Sequence, residues 1–499
     1  MKANSFFKNT MVILLTSFII KILGLLNKII ITRILGLDGM QLYVLTMPTI
    51  ILLTSISSLS LNPVISKMIS ENQVTKKYSD KMILRKSILL SLFVSLITII
   101  FLLIFISPLT KTLLKNANLF FPILSSIILI PFVGISDGLK GYFNGIKQMR
   151  ISSISTLIEQ ITRISTTIIL ILVSIKYSII LSVSFCVLGL ALGEIGSIIY
   201  SSIKIRKYLK ELPKTNNKET KAILNEAIPA TLSRLTSSFT HFLEPIIYTN
   251  ILLLLLYKND YIQETYTTIT GYVIPFITLT SFVSNAVSTT IIPGISENYT
   301  KKEYNKIHYY IDKAIIFSLI PGFFSCIIFY LFNKEYMNLL FNSSQGIEII
   351  KYTVLLTIPY YLQMPFTSVL QALGKNKLMF ILTVILNVIK LLLIGILSII
   401  PFINVYSIIV SLLLIIYLDT LIMFFFIKKY TKYRLNIDNI ISILLIFIFV
   451  FALAYLLKII HLHYLLITFI SMIITVILAI KLKLLNRSSF TIIKTKSPN

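Results

Sequence analysis

Residues 87–107 read SILLSLFVSLITIIFLLIFIS, an uncharged run entered from Arg85 and Lys86 and closed by Pro108. A helix rises about 1.5 Å per residue, so a run of this length crosses the roughly 30 Å hydrocarbon layer of a bilayer in one pass. Its apolar residues are continuous over about 20 positions instead of alternating over about 10, which excludes a strand of an outer-membrane barrel. Windows of the same kind, bounded by charge clusters or by Pro and Gly, recur near 10–32, 42–66, 119–143, 152–174, 178–202, 227–256, 267–295, 313–332, 350–373, 378–400, 403–427, 438–458 and 460–482. The chain therefore reads as an all-α membrane protein of about fourteen transmembrane helices.

Composition leads to the same class. Of 499 residues, 56% are hydrophobic and 13% charged, and the mean hydropathy is +0.89. Such a balance excludes a soluble enzyme on a single anchor, and the length admits roughly 12 to 15 crossings. Cys186 and Cys326 stand isolated inside apolar runs and read as core packing, not as a disulfide framework or thiolate metal site. The net charge of +27 would suggest nucleic acid in a soluble protein. Here the cations sit between apolar runs, where they orient the chain, and no nucleic-acid partner is implied.

The even-numbered connections carry most of that charge: Lys67 to Lys86, Lys140 to Arg150, Lys204 to Lys221, Lys301 to Lys313, Lys375 with Lys377, and Lys428 to Arg434. With both tails they hold about 33 Lys and Arg, against about 8 on the opposite side and about 5 inside spans. Both termini are accordingly expected in the cytoplasm and the chain in the cytoplasmic membrane. The opening segment carries Lys2 and Lys8, has Lys21 inside its apolar run and lacks a small-residue cleavage site, so it reads as the first span and not a cleavable signal.

The connection near 202–227 is the least apolar stretch and reads as a linker between halves, a solvated loop that also suits an anionic headgroup. An internal repeat supports the division. Pro63, Ile65 and Ser66 recur as Pro293, Ile295 and Ser296, and Gly145 recurs as Gly374, at offsets that agree within one residue. The expected organisation is a six-helix bundle over 1–210, a second of the same orientation over 211–430, and two further helices with a basic tail over 431–499. Two such bundles enclose a central cavity.

No enzyme constellation, phosphate loop or metal-ligand grouping is present in the sequence, no cofactor is implied, and His461 with His463 reads as an incidental pair at an outer turn. The informative residues are the charges inside spans, since a charge at the bilayer centre costs several kcal/mol unless it faces a partner or a wet cavity. Lys21 and Lys28 share a face of the first span, which suits an anionic substrate; the alternative has Lys28 snorkelling and Lys21 paired with another span's carboxylate. Glu159 and Arg163 have the spacing of an intrahelical ion pair, and the repeat offset maps Arg163 near Lys390, a second intramembrane cation, which makes Arg163 and Lys390 candidate substrate contacts, one from each bundle. Arg234, His241 and Glu244 group on one face of the seventh span. Arg234 fits the same anion as Lys21, and Glu244 or His241 a coupling proton, with an interbundle salt bridge to Glu244 as the competing reading. Pro245 is expected to break the helix ladder beside Glu244. Glu194, Asp419 and Asp137 read as structural carboxylates, and Gly189, Gly193 and Gly196 as a close helix-packing surface.

Several of these stretches carry a resemblance. Lys21-Ile-Leu-Gly24, Asn27-Lys28, Arg33-Ile-Leu-Gly36, Gly39, Tyr43, Pro48 and Pro63-Val-Ile-Ser-Lys67 form one set. Gly141-Tyr-Phe-Asn-Gly145, Glu159-Gln160 with Arg163, Pro229 to Arg234, Glu244-Pro245-Ile246 and Pro293 to Glu297 form another. Together they resemble the polysaccharide transport branch of the multidrug, oligosaccharidyl-lipid and polysaccharide exporter superfamily, which is related to lipid II flippases. The resemblance spans helices one to ten, and the last four match mainly in length and hydropathy. It implies a fourteen-span, two-bundle transporter that moves an undecaprenyl-pyrophosphate-linked precursor between leaflets, in spore-cortex or cell-wall synthesis. In the related flippases, cations of the first, second and eighth spans line the cavity. Lys21 matches the first-span cation, Lys28 neighbours a second at Asn27, and Leu52 and Gly271 stand where the others fall.

The expectation is thus a flippase working by alternating access, with an anionic lipid-linked oligosaccharide and membrane lipids as its partners and Lys21, Lys28 and Arg234 on the pyrophosphate. Two rivals remain: a cation-coupled drug exporter of the same fold using Glu159 or Glu244, and a non-transporting scaffold that recruits cell-wall synthases through its basic loops.

Overall fold

A computed structural model describes residues 3–75, 78–208, 218–482 and 484–485, with the backbone alone described at 3–15, 17, 21, 74, 218 and 219. Every regular element among them is a helix. The chain opens with α1 (Ala3–Ser57), α2 (Leu61–Thr75) and α3 (Asp80–Pro108). α3 contains the long apolar run and shows how these residues settle in a membrane. Ser87, Ser91, Ser95 and Thr98 face inward, while Phe93, Leu96, Ile97, Ile100, Phe101 and Ile104 are exposed. Lipid is as apolar as leucine, so helices associate through small residues that permit close approach and through hydroxyl hydrogen bonds. Ser91 Oγ donates to the Ser57 carbonyl at 2.7 Å, and a Cβ at Gly134 would lie 1.7 Å from that same hydroxyl oxygen.

The chain continues through α4 (Phe120–Leu124), α5 (Ser126–Gly145), α6 (Met149–Ser174), α7 (Ile179–Ile205), α8 (Lys218–Leu254), α9 (Asn259–Thr267), α10 (Ile274–Ile277), α11 (Ser281–Thr300) and α12 (Tyr304–Leu331). It closes with α13 (Asn333–Phe341), α14 (Ile347–Thr353), α15 (Tyr360–Ala372), α16 (Asn376–Ile399), α17 (Ser407–Thr431), α18 (Ile437–Ile459) and α19 (Tyr464–Lys481). Among the described residues, 9 helical stretches are long and apolar enough to cross a membrane, or 10 when α9 to α11, bent by 55°, form one span. The protein is a multi-pass, all-helical membrane protein. The other four windows read from the sequence fall on α1, on α8 and on the pair α14 and α15.

Those windows hold the polar residues and the breaks. α1 is two helices joined at Gly36, whose φ of 63° and ψ of −164° are not helical and are open essentially to glycine alone. Leu59 and Ser60, both at positive φ, separate α1 from α2, so the second predicted span is interrupted before its end. By contrast α8 runs as one helix with Pro229 and Pro245 inside it; a proline has no N–H, so the ladder lacks one bond at Pro245 without the helix ending. The middle of the predicted linker, 209–217, lies outside the described residues.

Two compact units emerge: Met1–Thr267 with Ile394–Val405, and Thr268–Leu393 with Tyr406–Asn499. The first has a core of Leu61, Ile65, Ile69, Ile83, Phe143 and Ile223, between α2, α3, α5 and α8. Its α6 and α7 pack at backbone distance, since a Cβ at Gly193 would lie 3.0 Å from both the Glu159 carbonyl and Arg163 Cβ, as the glycine stripe implied. In the second unit α12 is the most enclosed of the membrane-crossing helices among the described residues, with Ile307, Ile311, Ile315, Leu319, Ile327 and Phe329 buried. Cys186 and Cys326 are free and buried.

Candidate functional site

The close approach of α6 and α7 has a chemical result in the first unit. Glu159 and Arg163 on α6, Glu194 on α7 and Lys140 on α5 converge in one buried cluster. Lys140 Nζ lies 2.5 Å from Glu159 Oε2 and 3.6 Å from Glu194 Oε2. Arg163 is hydrogen-bonded to Glu159 one turn away and stands 3.8 Å from Glu194 Oε1. The Lys140 and Glu159 side chains are only 8% exposed, a depth at which a lone charge would be expelled and a balanced set is tolerated. Two cations here meet two carboxylates. A ladder of serines locks the three helices beside them: Ser155 Oγ lies 2.7 Å from Ser197 Oγ and 2.8 Å from Ser201 Oγ, and Ser197 reaches Ser136 at 3.1 Å.

Lys140 is the residue that sequence reading missed. By its place in the sequence it belongs to the basic connection ending at Arg150, whereas the structure buries it inside α5. The available signal was its setting, Asp137-Gly-Leu-Lys140-Gly141: a cation flanked by helix-packing glycines one turn after an intramembrane carboxylate.

Arg234 on α8 is differently placed. Its side chain is 46% exposed and its guanidinium lies 3.6 Å from Asp137 of α5. It also donates to Ser58 Oγ at 3.3 Å, at the break between α1 and α2. One turn on, Ser238 Oγ meets Ser55 Oγ at 2.8 Å. Arg234 is thus tied by long contacts to a helix break and to a carboxylate, with half of its surface free. Its ion-pair partner is Asp137, and Glu244 bonds His241, whose Nδ1 is 3.2 Å from Glu244 Oε1. His241 is half-exposed and Glu244 buried.

The remaining predicted residues separate. Lys28 is partly buried on α1, two turns before the Gly36 break, and among the described residues no carboxylate lies within ion-pair distance of its ammonium. The neighbouring Asn27 is buried with its side-chain oxygen unbonded. Lys390 is buried on α16, in the portion that belongs to the second unit. The side chain of Lys21 lies outside the described residues.

Comparison with known proteins agrees with this architecture. A family model described as polysaccharide biosynthesis protein matches residues 6–297, and a second, MatE, matches 239–396. The chain is 28% identical over 383 residues to stage V sporulation protein B of Bacillus subtilis (strain 168), covering 75% of this chain and 74% of that protein. It is 23% identical over 377 residues to sporulation protein YkvU of the same organism, covering 74% and 82%. Among solved structures, the lipid II flippase MurJ in an inward closed conformation superposes with a TM-score of 0.65 at 17% identity, over 95% of this chain and 99% of that one. An inward-facing multidrug resistance transporter of the MATE family and MOP superfamily gives 0.60 at 13%, over 83% and 94%. At these identities the structural likeness shows a shared fold, and the family match extends over more than half of the sequence. The chain belongs to the polysaccharide biosynthesis protein family.

Proposed function

We propose that this protein is a flippase that carries an undecaprenyl-pyrophosphate-linked oligosaccharide across the cytoplasmic membrane by alternating access, in cell-wall or spore-cortex synthesis, and that it acts as a transporter and not as an enzyme. The observation that carries the reading is the distribution of charge in the first unit. Glu159 and Glu194 are matched by Lys140 and Arg163, Lys28 has no carboxylate within reach among the described residues, and Arg234 is half-exposed and loosely held. Desolvated cations in surplus select an anion, and a guanidinium suits the paired oxygens of a pyrophosphate. Lys28 and Arg234, with Lys21, are the contacts assigned to that group. Arg163, neutralised by Glu159 and Glu194, is left to the buried cluster, Lys390 is a further buried cation in the second unit, and His241 with Glu244 forms the pair assigned to coupling.

The topology proposed with this function has fourteen spans in two six-helix bundles of one orientation, divided at residues 210 and 430, with both termini cytoplasmic. The positive connections support it. For the lipid tail we assign an apolar groove of the second unit, about 300 Å³ in volume, between Leu319 and Phe323 of α12, Leu362 of α15, Tyr417 and Leu421 of α17 and Ile443 of α18. The likeness to stage V sporulation protein B and to the lipid II flippase fold supports the substrate class.

The test is leaflet translocation of a fluorescent undecaprenyl-pyrophosphate oligosaccharide in proteoliposomes, comparing wild type with a Lys28→Ala, Arg234→Ala double variant. Protein-dependent flipping that the double variant loses is expected. A well-folded wild type that flips none of several lipid-linked sugars would overturn the proposal and favour drug export or scaffolding of synthases.

A further inference from the structure

One intramembrane carboxylate takes no part in the charge clusters described above. Asp419 is the single charged residue of α17 between Ser407 and Ile427. Its Oδ2 accepts from the Gln363 side-chain amide of α15 at 2.8 Å, while Oδ1 is buried with no hydrogen-bond partner. Among the described residues no Lys, Arg or His lies within ion-pair distance of it.

The elements packed on α17 supply no compensating charge. α15 offers only Tyr360 and Tyr361 as ionisable groups, and the Tyr361 hydroxyl is engaged with Thr280 and Ser325. The turn Val354–Thr357 has none. α12 carries Lys306, His308, Asp312 and Lys313 near its start, where His308 bonds the Thr431 carbonyl at 2.8 Å and Asp312 accepts from the Tyr433 hydroxyl. That level is twelve residues beyond Asp419, about 18 Å along the helix. α18 has Asp438 and Lys458 at its two ends. The side-chain hydroxyl of the neighbouring Thr420 is spent on the Pro359 and Ile416 carbonyls at 3.2 and 2.7 Å.

We propose that Asp419, with Gln363, is a proton-binding site of the second unit, its carboxyl taking up a proton well above the ordinary carboxylate range. One amide hydrogen bond does not offset the removal of a carboxylate from water, and without a cation the group takes up a proton instead of holding a charge in the membrane. The Gln363 amide holds one oxygen in place and leaves the other as the atom that receives the proton. Such a site responds to pH at a position distinct from the His241–Glu244 pair of the first unit, and it stands whether or not the cargo is a lipid-linked sugar.

The test uses the full chain in nanodiscs, treated with N,N′-dicyclohexylcarbodiimide across pH 5 to 9, with adducts mapped by mass spectrometry. The reagent takes the proton of a neutral carboxyl, and the carboxylate oxygen then bonds to its central carbon. At pH 7 the expected label on Asp419 exceeds that on Asp137, Glu159 and Glu194 about tenfold and is absent from Asp419→Asn. Infrared spectra give a second readout: a neutral-carboxyl carbonyl band at pH 5, where an ordinary aspartate is ionised, that Asp419→Asn lacks supports the site even if the reagent fails to reach it. Absence of that band overturns the proposal. A label that sodium ions suppress at constant pH overturns it too, by making the group a metal-cation ligand.

Discussion

At the scale of residues, the first unit separates charges that hold the protein together from charges available to a ligand. Lys140, Glu159, Arg163 and Glu194 neutralise one another in a buried site. Removing one member of such a set leaves an uncompensated charge, whereas replacing the set by apolar residues is often tolerated. Glu159→Gln is therefore expected to lower stability by about 3 kcal/mol or more, read as a fall in melting temperature in detergent. Lys140→Met combined with Glu159→Leu should lose less than the sum of the two single changes. Arg234 behaves otherwise, because its Asp137 contact is long and its side chain half-exposed. Arg234→Ala should leave the melting temperature within a degree or two of wild type yet slow translocation roughly tenfold or more, the worth of a charge-assisted hydrogen bond. Arg234→Lys should recover part of that rate, keeping the charge and losing the paired geometry.

Elements in this protein are shaped by where helices stop and by how closely they approach. Gly36 interrupts α1 at a backbone conformation that a side chain resists. Gly36→Ala should cost about 1 to 3 kcal/mol, while Gly24→Ala in the same element, with open space around it, should be neutral or slightly stabilising. Paired thermal melts distinguish the two. In the middle of α2, Lys67 Nζ lies 2.8 Å from both carboxylate oxygens of Glu226 on α8, and that hydrogen bond raises the lysine above its ordinary value. The pair is exposed, so Lys67→Met should cost no more than about 1 kcal/mol. A lysine raised on folding contributes throughout the pH range below its unfolded value and loses that contribution only as pH climbs through the folded value. Wild type and Lys67→Met should accordingly keep a constant difference between pH 5 and 9.

At the scale of the whole molecule, an anionic cargo makes transport sensitive to the membrane potential. An inward-negative potential favours outward movement of net negative charge by about 2.3 kcal/mol per charge per 100 mV. Imposing such a potential with valinomycin and a potassium gradient should speed outward flipping in proteoliposomes, and collapsing it should remove the gain. Equal rates under both conditions would mean that the cargo crosses with its charge already neutralised, or that another gradient drives the cycle.

Much of this was legible in the residues. The class follows from apolar runs such as 87–107, because a bilayer demands long, continuous, uncharged helices and leaves few alternatives, and the family resemblance from motifs such as Lys21-Ile-Leu-Gly24 and Gly141-Tyr-Phe-Asn-Gly145. The Glu159 and Arg163 pair was legible as well, since an i, i+4 spacing fixes proximity within one helix. Partners on different helices were not. Nothing in the order of residues brings Lys140 of α5 to Glu159 of α6, Asp137 to Arg234, or Gln363 to Asp419. Those juxtapositions depend on which small-residue faces pack together and at what depth. Likewise Pro245 costs α8 one ladder bond and leaves it continuous, while Gly36 and the turn at Leu59 and Ser60 end helices. The sequence by itself determined a polytopic helical membrane protein of the polysaccharide family with cations in its spans. Only the tertiary structure decided which charges are consumed by one another and which remain for a ligand, because charge compensation across helices is a property of packing.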